Sequence, residues 1–369
     1  MKKVYTGPDF FQKMLAEKAG NLVILAGNNQ RKTDYIKKSI VAGLNVLADK
    51  PMAIDAAGFS LLKEAFDQAK KNNVLLYDIM TERYEITNTL QRELAMLPAL
   101  FGTLQKGTAQ DPAVTKESVH HFFKYVSGEP LIRPSWFFDV NQQGEGIVDV
   151  TTHLVDLIQW SCFPNQVIDY QKDIKLVSAI HTATTLTPAQ FKLVTKNDTY
   201  PDYLQKDVKG KNLEVYANGQ IDYTLKGVHA RASVIWNFQA PQGTGDTHYS
   251  IMKGSKANLI IRQGKEQNYK PVLYIEPISA TPAYEKAMTE AFKKAQAAYP
   301  GIELKKNDKG WEVIVPKKYD TGHESHFAQV AKKYMEFLQA GKLPAWEVPN
   351  MIAKYYTTTE ALKMAKLKK

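Results

Sequence analysis

The stretch GLNVLADKPMAI, Gly43–Ile54, decides how the chain is read. An apolar run, Leu44 to Ala48, carries the chain into Asp49-Lys50-Pro51, and a helical pattern opens at about Ala56. Four to six apolar residues closed by a proline read as a buried strand. The segments before it alternate in the same way. Lys3–Thr6 (KVYT) reads as a strand, Asp9–Gly20 as a helix, Asn21–Asn29 (NLVILAGNN) as a strand and Thr33–Gly43 as a helix. A helix from Ala56 to Asn72 and a strand from Val74 to Met80 follow. Strands alternating with helical segments indicate βαβ units and a parallel sheet, so residues 1–80 are expected to form part of a doubly wound, Rossmann-like domain.

The second part changes character. Asn212–Phe238 and Tyr249–Gly264 alternate apolar and polar residues around Asn218-Gly219, Lys226-Gly227 and Lys253-Gly254, which read as turns between antiparallel strands. Residues 81–369 are therefore expected to form an α+β domain with a mainly antiparallel open sheet, closed by helices at 324–340 and 349–367. In the first of these, Phe327, Val330, Tyr334 and Leu338 make one apolar stripe. Residues 265–320 have no assignment from pattern alone.

Composition narrows the function classes. At 369 residues two domains are the default, and 44% hydrophobic residues suffice for real cores. The net charge of +10 comes from six arginines and forty-two scattered lysines. Arginine is the usual reader of phosphates and base edges, so nucleic acid is not the expected partner. No stretch approaches the roughly 18 apolar residues of a membrane span. The single cysteine, Cys162, excludes an intrachain disulfide. The chain reads as soluble, in the cytoplasm or, should a signal peptide lie upstream, in a periplasm.

Two motifs carry chemistry. The first is Gly43-x-x-Val46-x-x-Asp49-Lys50-Pro51, and the second is Gly144-x-Gly146-x-x-Asp149-x-x-x-His153. Together they resemble the glucose-fructose oxidoreductase and inositol dehydrogenase family (Gfo/Idh/MocA), whose signatures are Gly-x-x-Val-x-x-Glu-Lys-Pro and a glycine-rich turn leading into Asp-x-x-x-His. The resemblance covers residues 1 to about 160 well and the sheet to Gly264 loosely. Departures are Asp49 for glutamate, GNNQRK (Gly27–Lys32) for Thr-Pro-Asn-His, Glu145 within the glycine run, and Thr151 for glycine.

The resemblance implies an NAD- or NADP-dependent oxidoreductase acting on a sugar, sugar derivative or cyclitol, in a homo-oligomer. Lys50, Asp149 and His153 are the expected catalytic residues. Asn28, Asn29, Asp49, Lys50 and Pro51 are expected to face the cofactor, and the Lys50-Pro51 bond to be cis. Arg83, Tyr84, Trp136 and His323 are candidates for the substrate. On a helical wheel Asp149, His153, Asp156 and Trp160 share a face, so Asp149 is expected to hold the His153 ring one turn away. Histidine, titrating near about 6.5, is the natural base for a carbinol proton.

One part of a dinucleotide site has no counterpart here. No Gly-x-Gly-x-x-Gly occurs: the turns at Gly144 and Gly243 lack the third glycine. With KVYT and NLVILAGNN as strands 3 and 4 of the order 3-2-1-4-5-6, the expectation is that about 50 to 60 residues, two βα units, belong upstream. Competing readings are a non-catalytic sugar-binding or assembly protein, an NAD-dependent glycosidase, and a metal hydrolase built on His323 and His326. No metal ligand set is otherwise apparent.

Overall fold

The structure is a computed structural model that describes residues 3–126, 128–242 and 244–367. The first unit comprises α1 (Phe10–Glu17), β1 (Leu22–Leu25), α2 (Lys32–Val41), β2 (Asn45–Asp49), α3 (Ala56–Asn72) and β3 (Leu76–Ile79). The three strands form a parallel sheet in the order β1-β2-β3. Strands β2 and β3 are covered on both sides, as a parallel sheet requires; β1 is an edge, with Ile24 59% exposed. Lys3–Thr6, expected as a strand, is irregular. A strand needs a partner for its backbone groups, and none of the described residues offers one there.

The chain continues through α4 (Ile86–Ala95), β4 (Val114–Phe123), β5 (Tyr125–Val126), β6 (Glu129–Pro130), α5 (Val140–Gln143), α6 (Thr151–Cys162), β7 (Ile174–Leu186) and α7 (Pro188–Thr195). Then come β8 (Val208–Lys209), β9 (Asn212–Leu225), β10 (Val228–Gln239), β11 (Thr247–Lys253), β12 (Ala257–Gln263) and β13 (Val272–Pro277). The last elements are α8 (Pro282–Ala298), β14 (Glu303–Asn307), β15 (Gly310–Ile314), α9 (His323–Ala340) and α10 (Glu347–Leu367). Among the described residues the second sheet is ten-stranded, ordered β14-β15-β13-β12-β11-β4-β10-β9-β7 with β8 beside β9. All pairings are antiparallel except β4 with β10. Residues 265–320 are thereby accounted for: β13, β15 and β14 lengthen the sheet, and α8 packs Met288 and Phe292 into the main core.

Helices α4 and α6 lie on one face of this sheet, which buries Lys116, Ile221, Ala232 and Val234, while Ile180 and Ile235 stand exposed on the other. Lys226-Gly227 makes the β9-β10 turn, both residues left-handed. Asn218-Gly219, expected as a turn, lies inside β9 instead. A Cβ on Gly219 would sit 2.7 Å from the Ile147 Cα, and one on Gly146 would sit 1.7 Å from the Ala217 carbonyl oxygen. Glycines at both places let the segment before α6 lie directly on β9.

The two C-terminal helices pack back onto the first unit, adding Val330, Tyr334, Phe337, Met351 and Tyr355 to its core. The α9 stripe is His326, Val330, Tyr334 and Phe337, all buried; Phe327, expected within it, is 41% exposed. Helix α10 is tied down by Lys354, whose ammonium lies 2.7 Å from Asp78 and 2.8 Å from Asp156, all three inaccessible to solvent. No helix among the described residues is long and apolar enough to cross a membrane.

Candidate active site

The site is assembled where the carboxyl ends of β1 and β2 meet the turn before α6, the position at which open α/β sheets bind ligands. β2 ends at Asp49, and the Lys50-Pro51 peptide is cis. The Asp49 carboxylate accepts the Lys50 N–H at 2.9 Å, and its backbone carbonyl accepts a hydrogen bond from the Lys32 ammonium at 3.0 Å. Lys50 itself reaches across to the Asp149 carboxylate at 2.6 Å, joining residues 99 apart in sequence. Gln143 donates to the other Asp149 oxygen at 2.9 Å, so both carboxylate oxygens are engaged.

His153 sits on the first turn of α6, half-buried, with a buried and unpartnered Nδ1. Burial, and after it the positive charge of Lys50, pushes its imidazole well below the usual histidine range, so the ring is neutral near pH 7. The expected Asp149–His153 contact is not formed. Asp149 precedes the helix proper and turns to Lys50 and Gln143 instead. The shared face dissolves likewise: Asp156 is buried between Arg83 and Lys354, and Trp160 lies under the Arg92 guanidinium.

Asn28, expected with Asn29 to face a cofactor, lines a cavity at the end of β1, and both side chains also bond to α5. Their amides donate to the Gln142 side chain and the Gln143 carbonyl, each at 2.7 Å, which clips the end of β1 to α5. The cavity, of about 490 Å³, opens between them and α2, lined by Ile24, Gly27, Gln30, Arg31 and Tyr35 among others. Arg83 donates to Asp156 through two nitrogens at 2.7 Å and to Glu347 at 3.0 and 3.2 Å, all buried, so its guanidinium holds α6 to α10 instead of facing solvent. Tyr84 packs at the edge of the first unit's core, where burial pushes its hydroxyl up to about 12. Trp136 is half-buried in a 3-10 turn ahead of α5. His323, at the start of α9, lies 3.6 Å from Glu82 and within electrostatic reach of Lys124 and Lys50.

Several members of the site escape the motifs. Lys32 is 2% exposed and binds Asn29 at 2.5 Å as well as the Asp49 carbonyl; burial lowers its ammonium to about 8. It shares one helix stripe with Ile36 and Ile40, and a lysine in step with a buried stripe is the signal that could have found it. Burial raises the Glu82 carboxyl above the usual range, with the charge of Lys50 opposing. Asp246 gathers Lys124 at 2.7 Å and His121 at 2.9 Å. No sequence pattern links those positions. Among the described residues no three histidine, cysteine, aspartate or glutamate side chains come together as metal ligands.

Residues 90–366 match the family described as "Putative oxidoreductase C terminal domain". Among solved structures, a "putative oxidoreductase" from Parabacteroides merdae is 59% identical, with 99% of this chain and 84% of that one covered and a TM-score of 0.97. Levoglucosan dehydrogenase in complex with NADH and levoglucosan is 12% identical over 98% of this chain and 82% of its own, with a TM-score of 0.63. A 3-ketoreductase from Actinomadura kijaniata, solved with NADP, is 13% identical over 96% and 81%, with a TM-score of 0.58. At that identity the last two share the fold with this chain, a Rossmann-like parallel sheet beside a large mixed sheet. No curated protein matches. The family match over residues 90–366 and the relative identical at 59% of positions lead to one conclusion: the chain belongs to the oxidoreductase family defined by that C-terminal domain.

Proposed function

We propose that the protein is a nicotinamide-dependent oxidoreductase that interconverts a carbinol and a carbonyl on a sugar, sugar derivative or cyclitol. The observation that carries this reading is the Lys50–Asp149 pair at 2.6 Å beside the neutral His153 ring with its orphaned Nδ1. An unpartnered polar atom in a protein interior asks for a ligand or a chemical role.

In this reading His153 takes the hydroxyl proton of the substrate carbinol. Burial and Lys50 keep its ring neutral at pH 7, the form that can accept a proton, and favour loss of that proton again in the reverse direction. Lys50 donates to the same oxygen and stabilises the negative charge that develops as the proton leaves. Asp149, braced by Gln143, sets the Lys50 ammonium in place, and Lys32 anchors the carbonyl immediately before it. When bound, the nicotinamide supplies the acceptor for the hydride. The residues that would hold it are those at the carboxyl ends of β1 and β2, including Asp49, Pro51 and the Arg31 side of the cavity. The Gly-x-Gly-x-x-Gly pyrophosphate turn is not among the motifs of this sequence, and titration with NAD and with NADP decides between the two. Levoglucosan dehydrogenase, with levoglucosan or L-sorbose bound, supports the substrate class.

The test is oxidation of sugars, sugar acids and cyclitols with NAD and NADP by this chain and by the longest reading frame containing it. Appearance of reduced cofactor, falling by roughly 100-fold or more in His153→Ala with cofactor affinity retained, is the expected result. Undiminished turnover in that variant would remove His153 from the reaction.

A further inference from the structure

A cavity of about 620 Å³ lies at the end of the large sheet where β4 and β12 finish and β11 begins. Its walls include Lys124, Asp246, Gln263 and the rings of Tyr125 and Tyr269. We propose that this cavity binds a second sugar unit of the substrate, so that the reacting ring at Lys50 and His153 belongs to a disaccharide or other glycoside; the inference rests on the redox reading above.

Four observations support it. The first is chemistry: two tyrosines, a glutamine and an aspartate line the cavity, side chains that suit the apolar faces and hydroxyl edges of a sugar ring, in a volume typical of small-molecule sites. The second is charge. Lys124 at 2.7 Å and His121 at 2.9 Å both converge on Asp246, so the main cation of the cavity already has its counterion and favours a neutral, hydroxyl-rich ligand over an anion. The third is strain. Tyr269 has φ +57°, following Asn268 at φ +51°, a conformation rare for a bulky aromatic residue. It is held by the Tyr269 N–H donating to the Gly264 carbonyl at 2.9 Å and by Gln263, whose amide bridges the Asp246 and Tyr269 carbonyls at 3.2 and 3.1 Å. A strained backbone held by its surroundings is a mark of a functional position, and here it sets a tyrosine ring into the cavity wall. The fourth is continuity. Lys124 and Lys50 both act on His323, and Asp246 and Asp149 both act on Arg133, whose guanidinium burial lowers to about 10. Arg133 also donates to the carbonyl of His121, which lines the cavity, at 3.3 Å, so the cavity and the Lys50 site lie within electrostatic reach of the same two side chains.

The experiment is calorimetric titration of the whole protein, without cofactor, using glucose and galactose against cellobiose, lactose, maltose and trehalose. At least one disaccharide is expected to bind about tenfold or more tightly than either monosaccharide. Tyr269→Ala should collapse that advantage to within about twofold, Tyr269→Phe should keep most of it, and matched thermal melting of the variants excludes misfolding. Disaccharides binding no better than monosaccharides, no sugar binding at all, or an advantage that survives Tyr269→Ala would each overturn the proposal. Failure of the redox reading shows separately, as turnover indifferent to His153→Ala.

Discussion

Replacing Lys354 by methionine probes the buried charge cluster that seats α6, and with it His153, against the parallel sheet. Lys354 and Arg83 together face Asp78, Asp156 and Glu347, two positive groups against three carboxylates, every one nearly inaccessible to solvent. Burial opposes ionisation of Asp156, yet Arg83 and Lys354 together hold its carboxyl below the usual range. Burial raises Glu347, with Arg83 opposing. Methionine keeps much of the side-chain volume and removes the ammonium 2.7 and 2.8 Å from two carboxylates, leaving one cation against three acids. Orphaning a buried charge in this way costs about 3–5 kcal/mol. The sign with pH follows from linkage. Lys354 is the second of two cations that hold the Asp156 carboxyl low, so without it the folded-state value moves up towards the unfolded one near about 3.9, and stability that is present above that value is lost. The deficit against wild type is therefore about the same near pH 7 and near pH 5, and shrinks only as pH falls below about 4. Urea unfolding followed by circular dichroism at both pH values measures this, with Lys354→Met combined with Asp78→Asn expected to recover about half the loss. A deficit under about 1 kcal/mol, or a double variant no better than the single one, would show that the cluster does not hold α10 to β3 and α6.

Other outcomes follow from the same structure. Burial lowers His248 to about 3, helped by Lys116 and His120, so its stabilising neutral form is complete above pH 6.5 and is lost as pH falls towards 3; about 2 kcal/mol should be gone by pH 5, and His248→Gln should flatten the acid side of a plot of stability against pH. Lys32→Met frees the Asp49 carbonyl and Asn29 oxygen, and a turnover assay should show roughly tenfold loss in kcat with a smaller change in KM, consistent with misplacement of Lys50. In a homo-oligomer the outer sheet face would be covered, so Ile180→Asp with Ile235→Asp should shift sedimentation towards a smaller species; identical sedimentation would exclude that face as the contact.

What the sequence determined by itself is mostly local. The run Val46–Ala48 and the buried stretch Leu76–Ile79, apolar but for Asp78, with a helical pattern between them, identify parallel strands, because a strand covered on both faces shows little polar alternation. Alternation in Ser233–Phe238 likewise indicates one covered and one open face, and the structure has Val234 and Trp236 inside with Ile235 outside. Lys50, Asp149 and His153 stand out in the sequence as two motifs, and the structure brings Lys50 within 2.6 Å of Asp149. Long-range geometry decided the rest. Asp149 pairs with Lys50 and not with His153, because the chain ahead of α6 is pinned on β9 by Gly146 and Gly219 and turns the carboxylate towards β2. Arg83 looks like a ligand residue in sequence, but Asp156 and Glu347, 73 and 264 residues away, claim its guanidinium inside the molecule. Asn218-Gly219 reads as a turn until the close approach of another segment shows why glycine stands there. Sequence spacing encodes what a residue does with its neighbours three or four positions away. Which charge meets which across a core depends on how whole elements pack, and only the tertiary structure contains that.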